Sequence, residues 1–183
     1  KENIEFEILQ VGSQNIHGCM GCNMCFRNKN EKCVITTDSF NELLQKIKDV
    51  DGIILGSPVH FSGIAGTMKC FLDRAFYVSG ANGNWFRHKV GTAIVAVRRS
   101  GGSHTLDGLY HYLTYSEMLI PSSNYWNIIH GLKAGEAIQD AEGNQIMRVL
   151  GKNMAWLLKC IESGKKAGIE KPTYEPRLRT NFI

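Results

Sequence analysis

Four of the six cysteines crowd into one segment, as Cys19-x2-Cys22-x2-Cys25-x7-Cys33. Two successive C-x2-C steps place thiolates round a common centre, and Cys33 is near enough in sequence to supply a fourth ligand. That donor set suits a [4Fe–4S] cluster. Four thiolates equally suit zinc, and the same cysteines can also stand without any metal. Gly18 and Gly21 relax the backbone between ligands, whereas the gap before Cys33 carries Arg27, Lys29 and Lys32, a charged loop that need not fold back. Cys70 and Cys160 sit in helix-like apolar patterns and read as small buried hydrophobes. Clustered thiols belong to a reducing compartment, and the opening Lys1-Glu2-Asn3 does not read as a signal peptide, so a cytoplasmic location is expected.

Two loops carry the other residues with chemical potential. In Ser57-Pro58-Val59-His60-Phe61-Ser62-Gly63, followed by Ile64-Ala65-Gly66, glycines permit close backbone approach and hydroxyls add donors. Pro58 stiffens the turn, and His60 and Phe61 offer flat faces to a ring. An ordinary strand–helix connection has a similar composition. In Arg98-Arg99-Ser100-Gly101-Gly102 two cations stand on a glycine-rich turn, either to meet an anionic ligand or simply as solvated arginines. Tyr125-Trp126-Asn127 is expected after the last strand, as a site flank, core or subunit contact, and His104, His111 and His130 lack partners at ligand spacing.

These loops need a scaffold, and the chain alternates strand and helix patterns. Ile4–Leu9 alternates with period two and predicts a strand. Ser39-Phe40-Asn41-Glu42 resembles a capping box that opens a helix with Phe40, Leu43, Leu44 and Ile47 on one face. Gly52–Gly56 is a short apolar run of the kind buried on both faces, and Val90–Val97 is another. Helical spacing recurs through Met68, Phe71, Leu72, Ala75 and Phe76, through Leu106, Leu109, Tyr110 and Leu113, and along a long stretch from Met147 to Ile161. Ile120–Trp126 predicts the last strand despite Pro121. Such alternation implies a mainly parallel sheet with ligands at the carboxyl ends of its strands, where both loops stand.

The 183 residues suit one domain, 1–183, with residues 168–183 as an extended tail. A net charge of +4 with no basic run argues against nucleic acid, and no apolar stretch has the length of a membrane span.

Gly56-Ser57-Pro58-Val59-His60-Phe61, then Gly66-Thr67-Met68-Lys69 and Phe71-Leu72-Asp73-Arg74, resembles the third-strand signature of the NADPH-dependent FMN reductase and iron–sulfur flavoprotein branch of the flavodoxin-like superfamily. His60 stands where that pattern has Tyr. The resemblance implies an α/β flavodoxin-like, doubly wound parallel sheet of order 2-1-3-4-5 with helices on both faces. It implies FMN contacts from Ser57, Pro58, Val59, His60, Phe61 and Gly63, and from Arg98, Arg99, Ser100, Gly101 and Gly102, whose cations would meet the reduced flavin or a nicotinamide donor's phosphates. NAD(P)H would then reduce FMN, and a flavin, quinone, small electrophile or protein would accept the electrons, with no side chain needed as acid or base. The cysteine spacing is similar to the compact motif of iron–sulfur flavoproteins, which implies [4Fe–4S] ligation by Cys19, Cys22, Cys25 and Cys33.

The family also implies a homodimer or homotetramer, for which Phe76-Tyr77 and Trp85-Phe86 are candidate contacts. Relatives begin with a further strand, a Ser/Thr-rich phosphate loop and a helix. The expectation is therefore that this first strand is absent from the sequence, that a natural βα unit of roughly thirty residues precedes Lys1, and that the residues gripping the FMN phosphate lie there. Two other functions fit the same residues: an electron-transfer flavoprotein that shuttles electrons between proteins, or a cysteine-based metal or redox-sensing module.

Overall fold

The apolar run at Gly52 becomes strand β1 (Gly52–His60) in a computed structural model, which describes residues 2–181. Strand β3 (Val90–Val97) lies beside it in parallel, with Ile53 opposite Gly91 and Leu55 opposite Ala93. On the far side of β3, β4 (Ile128–His130) pairs in parallel, Val95 opposite Ile128. The two-residue β2 (Gly63–Ile64) turns back antiparallel on the end of β1. The sheet is thus mixed and four-stranded, in the order β2-β1-β3-β4, and not the fully parallel 2-1-3-4-5 order expected. Its three parallel strands keep the expected adjacency. The antiparallel piece arises because the segment read as a loop from Ser57 continues as strand to His60 and then reverses.

The helices are α1 (Met24–Asn28), α2 (Phe40–Lys48), α3 (Gly66–Ala81), α4 (Gly102–Tyr115) and α5 (Ala141–Lys166). They cover both faces of the sheet. A Cβ on Gly91 would meet Leu113 of α4 and Met118, whereas one on Gly52 would meet Met154 and Leu158 of α5. The core consists of Phe40 and Leu44, the Phe71–Leu72–Ala75 stripe, Ala93 and Val95, and Leu106, Leu109 and Leu113. Burial of these side chains drives the packing.

Four local expectations need correction. Ile4–Leu9 is irregular, with Phe6 and Ile8 exposed, because no strand edge among the described residues pairs with it. Its alternation is compatible with a strand but supplies no partner. β1 is not buried on both faces, since Ile54, Gly56, Pro58 and His60 are exposed while Leu55 and Ser57 are buried. The capping box does not form: Asp38 Oδ1 accepts from the Phe40 N–H at 3.2 Å, while the Ser39 hydroxyl donates to Gln14. Finally, Ile120–Trp126 makes no ladder. Leu119 bridges to Val90, and then Pro121, with no N–H to give, interrupts the pairing. Asn127 restores it, its carbonyl accepting from Val95 N–H at 2.9 Å and its amide donating to Ala93 O at 3.0 Å. Tyr125 and Trp126 therefore precede the last strand.

Candidate functional site

At the carboxyl end of β1 the chain reverses through Phe61 and Ser62, both with positive φ, at 48° and 58°. Two such residues between His60 and Gly63 make the tight hairpin whose twist matches its strands. The conformation is costly for a side chain as large as Phe, and it throws the ring wholly into solvent. Ser57 below it is buried. Its hydroxyl donates to Pro58 O at 2.7 Å and accepts from Ala65 N–H at 3.0 Å, tying the hairpin to the start of α3. Of the expected ring-facing residues, Pro58, His60 and Phe61 are exposed and Val59 and Gly63 are half-buried, whereas Ser57 braces the loop from within.

The second loop meets the first. Gly101 has φ +86°, and a Cβ there would lie 2.8 Å from the Ser62 Cα. Only glycine allows both that conformation and that approach. Gly102 is equally confined, 3.0 Å from Ile128 by the same measure, and opens α4. Arg98, Arg99 and Ser100 are exposed beside the helix's first N–H groups. Both loops thus converge at the carboxyl ends of β1 and β3, with positive potential on one side and an exposed aromatic on the other.

The cysteines form a second centre. Cys19, Cys22, Cys25 and Cys33 line one small cavity with Arg74 and Tyr77. Cys25 sits in α1, which packs on α3, and Phe26 meets Tyr77 edge-on with ring centroids 5.1 Å apart. The charged gap does fold back. Asn41 Oδ1 accepts from Cys33 N–H at 2.8 Å while its amide donates to Cys33 O, and Glu31 N–H donates to Asn82 Oδ1 at 3.1 Å. Burial raises the Cys25 thiol above its ordinary pKa, and neighbouring Cys33 and Cys19 raise it further against the lowering effect of backbone hydrogen bonds. Among the described residues no three His, Cys, Asp or Glu groups converge as they would on a single metal ion. The donor set on offer is four thiols on a largely apolar lining.

Sequence reasoning gave Arg74 and Asp38 no role, yet they hold this centre together. Both side chains are fully buried and form an ion pair. Arg74 also donates to His17 O at 3.2 Å and Ile35 O at 3.1 Å, the two ends of the cysteine segment. Its guanidinium lies 3.8 Å from the centroid of the Phe40 ring. The signal was an arginine at helical spacing between Phe71 and Val78 on the buried stripe of α3. Burial would raise the Asp38 carboxyl, but hydrogen bonds from Arg74 and His17 N–H and the guanidinium charge outweigh it, leaving the pKa below the ordinary value.

The pair predicts a measurable stability effect. Asp38→Ala strands a buried cation and costs about 3–5 kcal/mol at neutral pH, read by chemical denaturation. Because the folded pKa is depressed, the contribution of Asp38 is present above the unfolded carboxylate value of about 4 and fades as pH falls below it. The gap between wild type and variant narrows with acidification. A gap that is constant with pH contradicts this.

Of the candidate subunit contacts, Phe76 and Phe86 are buried against one another with centroids 4.7 Å apart, Trp85 is half-buried beside Phe86, and Tyr77 is exposed and meets Phe26. Cys160 is exposed and not a buried hydrophobe, because it falls on the outer face of α5. Tyr125 and Trp126 are exposed and contact each other edge-on. Among the described residues no helix is long and apolar enough to cross a membrane.

Comparison with known proteins agrees with this architecture. Residues 1–133 match the family model described as NADPH-dependent FMN reductase. An iron–sulfur flavoprotein of Methanocaldococcus jannaschii is 34% identical over 169 residues, covering 88% of this chain and 85% of that protein. Another, from Archaeoglobus fulgidus, is 29% identical over 177 residues, covering 88% and 86%. Among solved structures, RosB with bound 8-demethyl-8-formylriboflavin-5'-phosphate superposes with a TM-score of 0.65 at 17% identity, over 99% of this chain and 79% of that one. A flavodoxin, WrbA-like protein from Agrobacterium tumefaciens gives 0.51 at 16% identity, over 79% and 94%, a likeness of fold. With two glycine-bearing loops meeting at the strand ends of a flavodoxin-like sheet, this chain belongs to the NADPH-dependent FMN reductase family and is an FMN-dependent oxidoreductase.

Proposed function

We propose that the protein oxidises NAD(P)H at an FMN seated between the β1–β2 hairpin and the entry to α4. Cys19, Cys22, Cys25 and Cys33 would hold a [4Fe–4S] cluster, which would supply one-electron transfer towards a small-molecule or protein acceptor. The observation that carries this reading is the course of α3. It starts beside the hairpin at Gly66 and runs past the cysteine cavity at Arg74, Tyr77 and Val78, so one rigid element spans both centres. From Gly66 to Arg74 the helix advances roughly 12 Å at 1.5 Å per residue. The relatives' name, iron–sulfur flavoprotein, supports the same pairing.

The residues present suit both groups. The close approach of Gly101 to Ser62 holds the two loops together, Phe61 offers an unencumbered ring face, and Arg98, Arg99 and the α4 amides favour anionic groups on FMN or the donor. Four thiolates on a largely apolar lining suit iron–sulfur ligation. When bound, FMN supplies two-electron acceptance from a nicotinamide, and the cluster supplies one-electron transfer onward. The chain's own task is to hold the ring against the hairpin, keep water from its face and fix the thiolates. No side chain is assigned as acid or base.

Anaerobic rapid mixing of the FMN-loaded protein with NADPH, and separately with NADH, tests the donor step. Flavin bleaching within the turnover time supports the enzyme. Bleaching by neither nicotinamide, with rapid reduction by a low-potential protein carrier, identifies an electron shuttle instead, the function that the relatives' name equally suits.

A further inference from the structure

Arg74 has five N–H donors, and four of them are accounted for at the terminal nitrogens. Nη1 serves His17 O and Asp38 Oδ2, and Nη2 serves Ile35 O and Asp38 Oδ1. Nε remains. It is buried without any hydrogen-bond partner, in a residue that is 1% exposed and lines the cysteine cavity. A buried donor left unmade is costly, so its native partner should be sought in what the cavity holds. Water is a poor candidate. It needs two to four polar partners, and beyond the thiols and Arg74 itself the cavity is bounded by Met20, Val34, Ile35 and Val78 and by Asn23 and Tyr77, whose hydroxyl already donates to the Asn23 Oδ1.

We propose that Arg74 is a positioning residue for the cluster. It clamps both ends of the cysteine segment and directs its Nε–H at a sulfur of the cluster or of a ligating thiolate. The inference rests on the cavity being the cluster site. The clamp is rigid because three constraints act on one planar group: the fork on Asp38, the two carbonyls and the Phe40 ring. It fixes where the segment that carries the four thiols enters and leaves the cavity wall. The donor and its charge favour the more negative, reduced cluster, and hydrogen bonds to sulfur are a recognised lever on cluster potential. Lysine keeps the charge but has no Nε–H and no fork.

Arg74→Lys in the FMN-bearing protein, reconstituted anaerobically with iron and sulfide, gives the test. Iron per chain is counted, and the cluster's midpoint potential is read by redox titration. The expected result is cluster iron in both proteins and a lower potential in the variant. Equal potentials with equal iron overturn the assignment of Arg74 while leaving the cluster intact. A wild type that retains no iron overturns the cluster reading and the Nε assignment together, and the missing iron tells that failure from the former. Should the variant not fold, wild type carrying 15N-labelled arginine decides: pulsed EPR of the reduced cluster is expected to show a coupling to an arginine nitrogen. A loaded cluster with no such coupling overturns the proposal.

Discussion

Replacing Gly101 by valine is expected to weaken FMN binding by about a hundredfold or more. Two penalties act at once. Gly101 has φ +86°, which costs an L-residue about 1–2 kcal/mol and a β-branched one more. A Cβ would also stand 2.8 Å from the Ser62 Cα, and relieving such overpacking costs typically 1–3 kcal/mol. The contact atom is backbone, so no side chain can swing aside. The loop must move away from the hairpin, which opens the gap between the two halves of the proposed flavin site. Each 1.4 kcal/mol spent on restoring the bound geometry is tenfold in affinity. Gly135 is the control, because it has the same φ of +86° with nothing within 4 Å of a Cβ. Gly135→Ala leaves FMN affinity unchanged in a fluorescence titration, whereas equal losses at both positions would refute the placement.

Cys25→Ser is expected to lower the iron retained after anaerobic reconstitution by more than tenfold, with FMN affinity changed less than twofold. Cys25 is the most buried of the four sulfurs' residues, and its thiol feels both Cys33 and Cys19. A serine hydroxyl is a poor iron ligand, and one lost corner exposes a cluster to solvent. The separation of the two readouts follows from the fold. The cysteine segment packs on α2 and α3, away from the hairpin–α4 junction. Cys160→Ser, on the exposed face of α5, changes neither quantity. Iron bound equally well by the Cys25 variant would dismiss the four-ligand cluster.

Much of this architecture was legible in the residues. The parallel pairing of β1 and β3 followed from two apolar runs separated by a helical pattern, and the structure registers Ile53 against Gly91. The glycines of both loops marked where backbone approaches backbone. Other features depend on groups distant in sequence. The fate of Ile4–Leu9 depended on a ladder partner, which alternation alone does not reveal. Asn127 substitutes for a strand interrupted at Pro121 through contacts with β3. The spacing of Arg74 puts it on the apolar stripe of α3, but only the return of Asp38 and Ile35 to α3 makes it the buried clamp of the cysteine segment.

The central claim is that one chain carries a flavin site and a cluster site side by side. The visible spectrum of protein purified without oxygen, with FMN and iron counted per chain, tests it most directly. The expected result is one FMN together with the broad iron–sulfur absorption that bleaches on reduction, and about four irons per chain. Flavin bands with no iron after reconstitution, or zinc in its place, would contradict the paired-centre account.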